Sequence, residues 1–192
     1  VSYLSYQKEK AGGALGWLTC LVGLAAILSM SNIYSHSIRP AWANFNTYVA
    51  FFSATLALGS AGCIGAVIFG AKGTQLTSAL ISQLKKVSLI GGVAVILPFI
   101  YLPVFIGSLK SGGVAAVASA EILTGSYLLP FIIGGLIGLA AVGFLVYAAR
   151  QMGKKLPYQN LVYGGLLLMI IGEFIGRYVF YGSAVSIMIG LQ

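Results

Sequence analysis

The 192 residues are 59% hydrophobic and only 7% charged, with a formal net charge of +8; ordinary soluble domains carry about 25% charged residues. A water-soluble fold could not cover its surface with so few charges, so the composition excludes a soluble enzyme and points to an integral membrane protein. The excess of Lys and Arg could suggest nucleic acid, but these residues fall in short segments between apolar runs, as orientation signals do, and no nucleic-acid role is expected.

Residues 1–12 are short and polar, with Lys8, Glu9 and Lys10. The chain begins at Val1, and Tyr3-Leu4-Ser5-Tyr6 reads as the continuation of an upstream segment. The first apolar run covers 13–33. A loop with Tyr34, His36, Arg39, Pro40 and Trp42 follows; the residue before a proline disfavours helix, and Tyr and Trp suit a membrane interface. The second run, 45–71, carries Gly59, Gly62, Gly65 and Ala66, a small-residue face for helix packing.

Residues 72–86 form a polar connector with Lys72, Lys85 and Lys86, and Leu76, Leu80, Ile81 and Leu84 are spaced for a short interfacial helix. The third run, 87–109, contains Pro98 and Pro103, whose freed carbonyls must be satisfied by neighbouring helices. Residues 110–125 are rich in Gly, Ala and Ser and have room for another short helix. The fourth run, 127–149, opens with Pro130 in its first turn and has Gly134 and Gly138 four apart. Arg150, Lys154, Lys155 and Pro157 lead to the fifth run, 161–182. The expectation is an all-α polytopic transmembrane bundle of five spans, one membrane domain over 1–192, without soluble linker or internal repeat.

Alternating loops put Lys8, Lys10, Lys72, Lys85, Lys86, Arg150, Lys154 and Lys155 on one side, and Arg39 and Lys110 on the other. Eight against two is a positive-inside bias that predicts a cytoplasmic N-terminal tail and a C-terminus outside. The remaining cation, Arg177, lies inside the fifth run with Glu173 four residues before it. At that spacing the two share a helix face and can pair. Gly172 and Gly176 make a smooth strip beside them. Charges at membrane depth face a bundle interior, a partner or a wet pocket, so two readings stand: an ion pair that fixes helix register, and a polar site for a ligand or proton.

Other chemistry finds few residues. Haem needs axial His or Met, and the only histidine, His36, sits in a loop, where it reads as solvated rather than as a metal ligand or proton donor. Cys20 and Cys63 fall in apolar runs and read as buried free thiols, with no CxxC or iron–sulfur pattern. The chain has no Asp, which rules out a Ser/His/Asp triad, and no glycine-rich loop follows a strand. Nothing in the chain is equipped for bond chemistry alone.

The stretch Gly172-Glu173-x-Ile175-Gly176-Arg177-x-Val179-Phe180-Tyr181-Gly182 resembles the last helix of the membrane anchor subunit of bacterial dimethyl sulfoxide reductase. The loop Ile33-Tyr34, Pro40-x-Trp42, Phe51-Phe52 resembles the connection after that family's fourth helix. The five spans and their orientation match its fourth to eighth helices. The resemblance implies an eight-helix subunit in the bacterial cytoplasmic membrane, periplasmic at its C-terminus. It would anchor a molybdopterin catalytic subunit and an iron–sulfur subunit, oxidise menaquinol and pass the electrons on in anaerobic respiration. Haem would be absent, and the molybdopterin and iron–sulfur cofactors would belong to the partners. The first three helices of the family would precede Val1, so its quinol residues do not carry over. Glu173, Arg177 and Tyr181 are expected to form part of the quinol pocket wall on account of their charge and outer-half position. The competing expectations are a proton-coupled secondary transporter, with Glu173 on the ion path, and a scaffold that does not touch quinol.

Overall fold

The computed structural model describes residues 13–71, 76–152 and 158–188. These residues form α1 (Gly13–Ser35), α2 (Asn46–Gly70), α3 (Ser78–Lys110), α4 (Val114–Thr124), α5 (Leu128–Gln151) and α6 (Tyr158–Gly182), with no strand among them. All except α4 are long and apolar enough to cross a bilayer, which gives five spans. The expected tail with Lys8, Glu9 and Lys10, and Lys72, Lys154, Lys155 and Pro157, lie outside the described residues.

The lengths follow from the bilayer. At 1.5 Å per residue, about 20 residues cross the hydrocarbon core. The 25 residues of α2 and of α6 exceed this comfortably. Helix α3 is longer, at 33 residues. The expected interfacial helix before residue 87 is therefore not separate but the first turns of α3. Thr77 caps it, its hydroxyl accepting from the Leu80 amide at 3.3 Å. No Gly or Pro interrupts residues 78–90. A change from polar to apolar side chains does not stop a helix; breakers do. The helix also continues through Pro98 and Pro103.

Helices α5 and α6 pack along each other, as do α2 and α3, and α3 and α2 also touch α5 and α6 respectively. Small residues permit this. A Cβ on Gly172 would stand 2.9 Å from the Gly134 carbonyl oxygen and 3.1 Å from the Gly138 nitrogen, so the α5 and α6 backbones run close at these glycines. This is small-xxx-small packing, which replaces the hydrophobic drive that lipid cannot provide. On α2 the buried face is Ala57, Ala61, Ile64, Gly65 and Ile68. Of the three glycines in the expected small-residue set only Gly65 would meet a neighbouring helix, against Leu166, whereas Gly59 and Gly62 face open space. Cys20 and Cys63 are exposed on the outside of the bundle, which corrects the expectation of buried thiols. An apolar position in a spanning helix is as readily on the lipid side as on the protein side.

Two apolar cores result. One, around Ile64, Ile68, Leu84, Leu145 and Met169, joins α2, α3, α5 and α6. The other, around Ala41, Phe105, Leu109, Ala120, Leu123, Val179 and Ala184, gathers the 36–45 loop, the end of α3, α4 and the end of α6. The segments that alternation assigns to a single side therefore meet at one end of the bundle. The Asn44 amide donates to Ser108 Oγ at 2.8 Å, the Val185 amide to Ser119 Oγ at 3.0 Å and the Ile187 amide to the Ile38 carbonyl at 3.3 Å.

Candidate functional site

The Tyr34–Phe52 and Gly172–Gly182 motifs are far apart in sequence and in contact in space. Trp42 Nε1 donates to the Phe180 carbonyl at 2.9 Å, and the Trp42 and Phe180 rings stack with centroids 5.8 Å apart. Arg39 reaches the Ala184 carbonyl at 2.9 Å, its guanidinium carbon 4.6 Å from the Trp42 ring centroid. The Tyr34 and Tyr181 hydroxyls are 3.0 Å apart. Thr47 Oγ1 donates to the Trp42 carbonyl at 2.6 Å, which fastens the loop to the start of α2. The loop is thus fixed across the last turn of α6. His36 is exposed in it, with Nδ1 2.9 Å from the Asn32 carbonyl oxygen.

Beneath this loop lies a partly open cavity of about 100 Å³ between α2, α3, α5 and α6. Helix α6 contributes Gly172, Glu173, Gly176, Arg177 and Phe180, residues that share one helical face. Opposite are Ser53 on α2, Pro98 and Phe99 on α3, and Phe131, Gly134 and Gly135 on α5. A second recess of about 70 Å³ shares Ala50, Pro98, Phe131, Gly176 and Phe180 with it and runs on to Ala41 and Trp42. The space therefore reaches from the middle of the bundle to the 36–45 loop. Nothing lies within 4 Å of a Cβ placed on Gly176, so this glycine opens the cavity instead of seating a helix.

Three polar side chains line otherwise apolar walls. Arg177 lays its guanidinium carbon 4.2 Å from the centroid of the Phe51 ring, with Phe180 at 5.9 Å. Phe51 is buried, so this is a largely desolvated cation–π contact, worth about 2 kcal/mol. Among the described residues no contact within 4.0 Å joins the Glu173 carboxylate to the Arg177 guanidinium, and the expected ion pair is not closed. The spacing of four residues permits such a pair without compelling it, and here the aromatic face holds the cation. Glu173 is half-buried and faces the cavity.

Nothing in the sequence distinguishes Ser53 from the other serines of the spans. It is 3% exposed, and its hydroxyl has no hydrogen-bond partner. The other buried helix serines, Ser31, Ser60, Ser88 and Ser119, each donate to a carbonyl one turn back at 2.8–2.9 Å. That back-bond is the ordinary way for a hydroxyl to be satisfied in an apolar helix. An unsatisfied buried hydroxyl costs about 1–3 kcal/mol, and this one lies on the wall of the cavity with Glu173 and Arg177.

Of the residues expected at a pocket wall, Glu173 and Arg177 come together in the cavity, whereas Tyr181 is exposed outside its lining and bonds Tyr34. A cavity with apolar and aromatic walls, one carboxylate, one guanidinium and one free hydroxyl suits a flat, mostly apolar ligand with hydroxyl or carbonyl groups. Among the described residues no group of three or more His, Cys, Asp and Glu side chains is placed to hold a metal.

Compared with known families, residues 6–183 match the family described as DMSO reductase anchor subunit (DmsC). No curated protein and no solved structure gives a match.

Proposed function

The chain belongs to the DMSO reductase anchor subunit (DmsC) family, and from that premise we propose that its cavity is where quinol is oxidised. Membership makes it a multi-pass membrane anchor of a DMSO reductase-type complex. The observation that carries the further step is the convergence of Glu173, Arg177 and the unpartnered Ser53 hydroxyl on one aromatic-walled cavity that opens toward the outer loop.

In this reading a quinol, menaquinol for this family, enters with its ring among Phe99, Phe131 and Phe180. Ser53 Oγ bonds one quinol oxygen, and the Glu173 carboxylate accepts a proton from a quinol hydroxyl. Arg177, held by Phe51, lowers the cost of the negative charge that deprotonation leaves. The quinol becomes quinone as it gives up two electrons and two protons. The protons leave at the loop end of the bundle, and the electrons pass to an iron–sulfur partner subunit that serves a molybdopterin catalytic subunit. The chain supplies binding, orientation and charge, while the redox chemistry belongs to the quinol and the partners' cofactors. The setting is the bacterial inner membrane, with the C-terminus and the partners on the periplasmic side, and anaerobic respiration as the process served.

The test is turnover of the intact complex in membranes with a reduced menaquinol analogue as donor, compared with turnover driven by a soluble dye that reduces the partners directly. Glu173→Gln and Arg177→Met should slow the first and leave the second unchanged. Normal quinol-driven rates in both variants, with the complex assembled, would leave the chain as an anchor only.

A further inference from the structure

At the end of the bundle opposite the 36–45 loop, Lys85 on α3 and Arg150 on α5 flank a second kind of recess, an open one of about 180 Å³, whose other walls are Leu89 and Val146. Leu89 is one turn after Lys85 and Val146 one turn before Arg150, and both apolar residues lie toward the middle of their spans. Each helix therefore presents a cation at the bilayer boundary and an aliphatic side chain one turn deeper. Lys85, Leu89 and Arg150 are exposed.

Nothing among the described residues neutralises the two cations. The chain has three acidic residues in all, Glu9, Glu121 and Glu173. Glu121 is on α4 at the outer end and Glu173 in the outer half of α6, while Glu9 lies outside the described residues. Neither Lys85 nor Arg150 has a hydrogen-bond or ion-pair partner among the described residues. Lys86 adjoins the first, and Lys154 and Lys155 follow the second by four and five residues in the sequence.

We propose that this recess binds the phosphate of an anionic phospholipid, with Lys85 and Arg150 on the phosphate oxygens and an acyl chain laid over Leu89 and Val146. Arg suits phosphate through its two-pronged donor geometry, and Lys through its compact charge. Basic recesses between spanning helices recognise lipid headgroups in this way. A free phosphate ion would satisfy the cations alone; the aliphatic floor one turn deeper is what selects a lipid.

The experiment uses the complex extracted through this chain in mild detergent, with bound lipid read by native mass spectrometry after adding phosphatidylglycerol or, for comparison, phosphatidylcholine. The unaltered complex should retain phosphatidylglycerol preferentially. The double variant Lys85→Gln/Arg150→Gln should lose that preference by roughly tenfold or more. Lys85→Arg/Arg150→Lys should keep it, and Lys110→Gln, at the opposite end, should leave it unchanged. Co-purification of the partner subunits with each variant establishes that it is folded. Undiminished retention in the Gln double variant would overturn the proposal. Displacement of phosphatidylglycerol by inorganic phosphate alone would overturn it too, because the recess would then be an ion site and not a lipid site.

Discussion

The guanidinium carbon of Arg177 on α6 lies 4.2 Å from the centroid of the Phe51 ring on α2. This contact ties α6 to α2 and leaves Glu173, one turn earlier, without its expected partner. Replacing Phe51 by Leu should release the guanidinium. A loss of about 1–2 kcal/mol follows for the desolvated contact, read as a lower thermal midpoint of the complex in detergent. Quinol-driven turnover should fall as well. An unchanged midpoint would show that the ring does not hold the cation.

Ser53→Ala should separate stability from binding. The substitution removes a buried hydroxyl with no partner, so the complex without quinol should be as stable as before or more so, by up to about 1–3 kcal/mol. The same change should raise the KM for quinol roughly fivefold, the worth of about one neutral hydrogen bond. A thermal midpoint measured beside the KM checks both signs. Loss of stability with unchanged KM would make Ser53 an ordinary packing residue.

Glu173→Gln keeps the side chain's size and removes its ability to accept a proton. If the carboxylate is the proton acceptor, kcat for quinol oxidation should drop by about a hundredfold or more, with dye-driven turnover intact. A change confined to KM would give Glu173 a binding role only.

The two glycines beside the charges should behave differently. A Cβ on Gly172 would meet backbone atoms of Gly134 and Gly138 that cannot yield. Gly172→Ala should therefore push α5 and α6 apart at a cost of about 1–3 kcal/mol, seen as a lower thermal midpoint. Around Gly176 there is open space. Gly176→Ala should be tolerated, and Gly176→Leu should fill the cavity and abolish quinol-driven turnover while the complex still assembles.

Much of this arrangement is legible in the sequence for physical reasons. A bilayer demands about 20 apolar residues per span, so the five spans stand out. Charge is rare inside such runs, so Glu173 and Arg177 stand out too. The start of α3 was less legible, because side-chain polarity marks the membrane boundary and not the helix boundary. Ser53 was not legible at all. Serine is common in spanning helices, and only its missing back-bond and its place on the cavity wall distinguish it. Phe51 was visible within a motif, but its role needed the third dimension, because nothing local relates it to Arg177. Likewise Cys20 and Cys63 show that apolar context does not say which side of a spanning helix faces lipid.

The most direct measurement is photoaffinity labelling of the intact complex in native membranes with an azido-substituted menaquinone analogue, followed by mapping of the labelled peptides of this chain. The quinol reading predicts labelling on the α6 peptide carrying Glu173 to Phe180 and on α3 or α5 near Phe99 and Phe131, suppressed by excess unlabelled quinone and reduced in Gly176→Leu. Labelling only at residues remote from this cavity, unaffected by Gly176→Leu, would place the quinol elsewhere and contradict the account.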